Sequence, residues 1–225
     1  GTITLLIGTQ SNGQGHATAY AQLVAEKLNL DIDRIKVHQG DTDRLDKGSG
    51  TGGSRSIPLG GVSAVRAGED LALKIRKIAA DELEAAEADI ELENGVARIV
   101  GTDRNMDFAA IAKAARSPED VKGFGEFVQD EATYPNGTHI CEVEIDPETG
   151  KTEIVNYVIV DDFGATVNPL LLAGQVHGGV VQGLGQALTE DAIYGDDGQI
   201  LTATFMDYAM PRADDVPSFH FETRN

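Results

Sequence analysis

Residues 174–188 read Gly-Gln-Val-His-Gly-Gly-Val-Val-Gln-Gly-Leu-Gly-Gln-Ala-Leu. Laid on a helix at about 100° per residue, the run divides into faces. Val176, Val180, Leu184 and Ala187 fall on one side, with Val181 and Leu188 at its edge. Gln175, Gln182 and Gln186 line up on the other, and Gly178, Gly179, Gly183 and Gly185 fill the flanks. An interior glycine costs a helix roughly 1 kcal/mol relative to alanine, so four of them cost roughly 3–4 kcal/mol. That is a large share of a typical domain's net stability. A chain keeps such a helix where something must approach its bare backbone closely, either another element or a bound ligand. Carboxamides beside exposed backbone read donors and acceptors without adding charge. A glycine-packed helix crossing with its glutamines in water would give the same pattern.

Two further glycine-rich stretches sit where strands give way to helices. Residues 2–7 are β-like, and Thr9-Gln10-Ser11-Asn12-Gly13-Gln14-Gly15-His16 breaks the run. A helix follows with Ala17, Tyr20, Ala21, Val24 and Leu28 on one face. The loop therefore delivers the chain to a helix N-terminus, where free amides and the positive end of the dipole favour anions. Residues 35–38 form a second strand, and Gly40-Asp41-Thr42-Asp43 turns the chain. The second stretch is Gly48-Ser49-Gly50-Thr51-Gly52-Gly53-Ser54-Arg55-Ser56. Its glycines permit backbone nests facing an anion. Ser54 and Ser56 add hydroxyls, and Arg55 adds a guanidinium fork suited to phosphate. A flexible surface linker is the competing reading. Ser56-Ile57-Pro58 reads as the start of a helix running, with a break, to about residue 88.

Asn94-Gly95 joins strands 90–93 and 96–100 in a hairpin. A short helix is expected over 108–115, and irregular chain over 117–134. Strands 139–145 and 152–160 pair over Asp146-Pro147-Glu148-Thr149-Gly150, and residues 200–207 read as one more strand. Mixed hairpins and helices favour an α+β fold of two-layer mixed sheets with helices. The expected division is a first half, 1–120, carrying loops 9–18 and 48–56, and a second half, 121–225, carrying hairpin 139–160 and the helix over 174–188.

Eighteen basic against thirty-seven acidic residues leave a formal charge of −19. That argues against nucleic acid or an anionic membrane as partner. No apolar run reaches membrane-spanning length, and the expected location is the cytoplasm. Cys141 is the single cysteine, read as a buried strand residue. It excludes an internal disulfide or a cysteine-built cluster. The scattered histidines show no metal-ligand spacing, so no protein-ligated metal is expected. The chain starts at Gly1 in a strand-like run and stops at Asn225 with no closing element, reading as a piece of a longer protein.

Three segments together resemble one family. They are Gly13-Gln14-Gly15-His16 with Thr18, then Gly53-Ser54-Arg55-Ser56 after Gly40-Asp41-Thr42, then Asp162-x-Gly164-x-x-Val167-Asn168-Pro169 followed by Gly174-Gln175 and Val181-Gln182-Gly183-Leu184-Gly185. Their order resembles the molybdenum-cofactor-binding part of the xanthine dehydrogenase and aldehyde oxidase family. The histidine after the first motif and the Ser-Arg-Ser in the second are nearer the bacterial carbon-monoxide-dehydrogenase-like large subunits. The resemblance spans essentially the whole chain.

It implies a molybdenum-cofactor-binding-domain-like fold and a molybdopterin ligand, as a dinucleotide with the cytidine form favoured. Gln14 and Gln182 would hydrogen-bond the pterin, Gly13, Gly15, His16 and Thr18 would support the first contact, and Gly53, Ser54, Arg55 and Ser56 would hold the phosphate or dinucleotide tail. Molybdenum would have no side-chain ligand. The reaction class is oxidative hydroxylation of a heterocycle or aldehyde with water as oxygen source. Its glutamate base would lie beyond this chain, in a Gly-x-Gly-Glu-like segment; Gly123-Phe124-Gly125-Glu126 falls outside the family order, and Glu126 reads as an ordinary loop carboxylate. Iron–sulfur clusters and FAD would sit on other domains or subunits. The partners would be the rest of the large subunit and the iron–sulfur and flavin subunits. No catalytic residue is assigned here, and the chain alone is expected to be inactive. The alternatives are a non-catalytic nucleotide- or phosphate-binding α+β module, and a structural subunit whose glycine-rich loops pack against another chain.

Overall fold

The computed structural model describes residues 1–224, which form two compact units, Gly1–Ala132 and a second from Thr133 onward. The first begins with β1 (Ile3–Leu6), α1 (His16–Leu28) and β2 (Ile35–His38). The two strands pair in parallel, Ile3 opposite Ile35 through Leu6 opposite His38, with α1 as the crossover. α2 (Val62–Leu83) packs beside α1. Then β3 (Ile90–Glu93), β4 (Val96–Ile99) and β5 (Asn105–Asp107) make an antiparallel meander, and α3 (Phe108–Ala114) follows. The buried stripe of α1 (Tyr20, Val24, Leu28) meets Ala64, Leu71 and Ile75 of α2 and Ile111 of α3 in one core. The expected break before the long helix is a single wide π-type turn, Ser56–Gly61.

The segment after α3 is held against α2. Gly123 and Gly125 lie so close to the backbone of Ser63 and Ala67 that neither has room for a side chain. The Phe124 amide donates to Asp70 (2.9 Å) and Arg66 to the Glu126 carbonyl (2.7 Å). Glu126 itself is exposed, 3.8 Å from the Lys47 ammonium.

The second unit contains β6 (Asn136–Ile145), β7 (Thr152–Asp162), α4 (Pro169–Leu188) and β8 (His220–Thr223). β6 and β7 form the expected hairpin, and β8 joins β7 in parallel. The α4 N-terminus is set by Asn168, whose Oδ1 accepts from the Leu171 amide (3.0 Å), and by Pro169 at the first helical position.

Two expectations are corrected. Residues 200–207 are not a strand: only Ile200 bridges, to Tyr194, and then the chain turns. Thr204 captures the local backbone, accepting from the Met206 amide and donating to Asp207 (2.8 Å), which outcompetes a ladder. Cys141 is exposed, because all ten residues of the edge strand β6 are exposed.

Candidate functional site

In the first unit, the loop after β1 and the loop before α2 are built onto each other. Gly8 and Gly48 meet backbone to backbone; a methyl group on Gly8 would lie 2.6 Å from both Gly48 Cα and the Lys47 carbonyl oxygen. The Gly50 amide donates to the Gly8 carbonyl (3.2 Å). Thr51 then closes the join, its hydroxyl accepting from the Gln10 amide (3.2 Å) and donating to the Gln10 carbonyl (2.6 Å).

A part-buried hydrogen-bond chain supports this join. One hydrogen of the Gln39 amide nitrogen is shared between the Thr9 carbonyl (3.0 Å) and the Thr9 hydroxyl (2.7 Å). The Tyr20 hydroxyl donates to the Ser56 carbonyl (2.9 Å), so it must accept from Thr9 Oγ1 (3.0 Å). The order Gln39, Thr9, Tyr20, Ser56 thus has one direction, because it ends on a carbonyl. Burial pushes the Tyr20 phenol above its ordinary pKa, keeping its proton in place.

Above the chain lies a surface of donors. Gly15, the residue before α1, is left-handed (φ 80°), and no side chain caps the helix. The amides of Ala17 and Thr18 therefore have no acceptor among the described residues, as expected of an open helix N-terminus. Ser54 adopts φ 54°, uncommon for a residue with a Cβ, and Arg55 after it is right-handed. Such a left–right pair turns successive amides to one side and makes an anion-binding nest. Arg55 spends only its Nε, on the Gly52 carbonyl (2.9 Å). The Gln14 carboxamide oxygen is turned back on its own loop, accepting from the Asn12 amide. The structure thus ties the loop that carries Gly13, Gln14, Gly15, His16 and Thr18 to the loop that carries Gly53, Ser54, Arg55 and Ser56, through Gly8 with Gly50, Gln10 with Thr51, and Tyr20 with Ser56.

Gln182 lies in the second unit, exposed on α4. The cavity of that unit, about 460 Å³, is lined by Val176, Val180, Leu184, Gly179, Gly183 and Gln175 of α4 against Tyr157, His139 and Asp161 of the sheet. Of the glutamine row, Gln175 alone borders it. On the helical projection it sits one turn before Gly179, whose bare backbone leaves it room, and that adjacency was the available signal. His139 donates from Nε2 to the buried Asp161 carboxylate (3.1 Å) and accepts from the Tyr157 hydroxyl (3.4 Å). A side chain added at Gly174, Gly178, Gly179 or Gly183 would meet no atom within 4 Å; only Gly185 is crowded, by Pro211 and Glu190. Hence nothing among the described residues makes a close approach to those four. No group of three or more His, Cys, Asp or Glu residues among them could hold a metal, and no helix is long and apolar enough to cross a membrane.

A family model described as the molybdopterin cofactor-binding domain matches residues 1–217. The chain belongs to this family. Curated relatives of this molybdopterin cofactor-binding domain include the carbon monoxide dehydrogenase large chain of Afipia carboxidovorans, 34% identical over 97% of the chain and 28% of that protein. The gamma subunit of the 6-hydroxypseudooxynicotine dehydrogenase complex of Paenarthrobacter nicotinovorans is 36% identical, with the same coverage. The xanthine dehydrogenase of Oryza sativa is 29% identical over 96% of the chain and 16% of that protein. Solved structures of Cu,Mo-CO dehydrogenase and of quinoline 2-oxidoreductase from Pseudomonas putida 86 superpose with a TM-score of 0.80 and 32% identity, over the whole chain. Those matches cover 29% and 30% of the two solved chains. The domain thus spans under a third of the length of these relatives. Its donor surface fits a ligand that brings acceptors and negative charge, which a phosphate-tailed pterin does.

Proposed function

We propose that this molybdopterin cofactor-binding domain serves a molybdenum hydroxylase large subunit by holding the cofactor, with its chemistry completed by groups outside the chain. The observation that carries the reading is the pinned pair of loops in the first unit, whose open amides, hydroxyls and guanidinium supply donors and no competing carboxylate on the motif residues. Gly13, Gln14, Gly15, His16 and Thr18 are assigned to the pterin and its phosphate. Gly53, Ser54, Arg55 and Ser56 are assigned to the phosphate or dinucleotide tail, the cytidine form being favoured. Gln182 is assigned to the pterin on the strength of the motif. Gln175 joins it because it borders the α4 cavity.

When bound, the cofactor supplies the two-electron redox centre for oxidative hydroxylation of a heterocycle or aldehyde. This chain's residues bind it, orient it and offset its charge. The glutamate base, the iron–sulfur and FAD groups and the remaining subunits belong to the parent assembly, which we place in the cytoplasm. The isolated chain is therefore inactive.

The test is molybdenum analysis with oxidative release of fluorescent pterin from the parent assembly, for the wild type and Gln182→Leu. The wild type is expected to carry both at near one per chain, and Gln182→Leu to carry less while folding normally. An active, assembled wild type without molybdenum and pterin would refute the reading. Tight binding of an unrelated nucleotide, unaffected by Gln14→Ala or Gln182→Ala, would support the nucleotide-binding alternative instead.

A further inference from the structure

His16 opens α1 and is only 3% exposed. Its Nδ1 lies 3.2 Å from the Gln39 amide nitrogen. That atom's identity is fixed by its contact with the Thr9 carbonyl, an acceptor only. An amide nitrogen accepts nothing; its first hydrogen is shared by the two Thr9 oxygens, and its second goes to Nδ1, which accepts. A neutral imidazole then carries its proton on Nε2. Burial holds the His16 pKa below its ordinary value, which keeps the ring neutral. Nε2 is buried and has no hydrogen-bond partner among the described residues. The ring's other neighbour is Tyr20, at a centroid distance of 5.2 Å, whose hydroxyl is already committed to Thr9 and Ser56.

A buried donor left unmade is expensive, and native proteins rarely keep one. This one belongs to the first residue of α1, whose uncapped N-terminus also offers the amides of Ala17 and Thr18. Three donors of one polarity, on a helix end with no acidic residue in its first turn, select an anionic oxygen.

We infer that His16 Nε2–H is a ligand-reading donor, held in that tautomer by Gln39, and that it hydrogen-bonds an anionic phosphate oxygen of the bound cofactor. The inference rests on the cofactor reading above and adds a specific donor, a fixed tautomer and Gln39 as its positioning residue.

The test uses the parent assembly, purified both loaded and from a host unable to make the cofactor. His16→Phe keeps the ring volume and removes the donor. His16→Gln returns an amide donor near the Nε2 position, whereas His16→Asn places its amide near Nδ1. Pterin release under mild denaturant is expected to be roughly tenfold faster for His16→Phe and His16→Asn, and close to wild type for His16→Gln. The cofactor-free His16→Phe protein should melt close to the wild type, since Thr9 still holds one Gln39 hydrogen and the loss of Nδ1 by the other is offset by the removal of an orphaned donor. Release of pterin at the wild-type rate from loaded His16→Phe would overturn the inference and leave the cofactor reading intact. So would a cofactor-free His16→Phe protein that melts well below wild type, which would make the ring a structural residue. A wild type that never carries pterin would refute the cofactor reading itself.

Discussion

Tyr20→Phe isolates the tie between the two loops. The ring is fully buried and its packing survives, so the change removes only a hydroxyl that bonds Thr9 Oγ1 at 3.0 Å and the Ser56 carbonyl at 2.9 Å. Each net hydrogen bond is worth about 1 kcal/mol, and the part-buried Ser56 carbonyl that loses its donor adds a desolvation penalty of at most similar size. The sum is roughly 2–3 kcal/mol, or about 5–10 °C in the melting temperature for a chain of this size. Loss of the tie should also loosen the 48–56 loop. Hydrogen exchange is therefore expected to quicken in peptides covering residues 5–20 and 48–62 together, with the β6–β7 hairpin unaffected. The tyrosine also gives a pH signature. Its folded pKa lies above the ordinary phenol value. Its stabilising contribution is then complete below about pH 10 and is lost as the pH rises beyond that. Tyr20→Phe should lack that alkaline loss. A variant within about 0.5 kcal/mol of wild type, with unchanged exchange in both loops, would refute the reasoning.

Three further outcomes are expected. Gly8→Ala should lower the urea midpoint by the equivalent of about 2–3 kcal/mol, since its new methyl meets the backbone of Lys47 and Gly48, which cannot step aside as a side chain could. Gly183→Ala, which points into open space, should stabilise the cofactor-free chain by about 1 kcal/mol in the same titration while weakening cofactor retention in the parent assembly; destabilisation of the isolated chain would show a packing partner within it. Arg55→Ala should leave the unfolding midpoint unchanged, because the side chain is exposed and bonds only its own loop, yet should speed pterin release measured by fluorescence.

The loops and the long helix were legible because their signals are local. Glycine with serine marks backbone that must turn tightly, and the 3.6-residue spacing of Val176, Val180 and Leu184 marks the helix over 174–188, although α4 begins earlier, at Pro169, where Asn168 caps it. What joined the loops was not legible: Tyr20, Thr9 and Gln39 act across up to 36 positions, and nothing in periodicity tells a core tyrosine from one that carries a directed hydrogen bond. Residues 200–207 misled because alternation was read without weighing the ability of Thr204 to bond its own backbone. β8 went unread because His220–Thr223 holds a single apolar residue, Phe221, which sets no alternation. The helical projection placed the glutamines on one row correctly in angle but could not say which end of the row borders a cavity; that depends on where the sheet lies against α4.

The paired glycines at 123 and 125 set a mechanical limit on this chain. With Gly123 against Ala67 and Gly125 against Ser63 and Ala67, the strip can lie on α2 in one alignment only. Phe124 between them points outward, 74% exposed. A saturation scan should therefore find almost any residue accepted at 124 and almost none at its two neighbours. Deleting a single residue from the strip would strand the Phe124 ring over the helix backbone, and the segment would peel away instead of sliding.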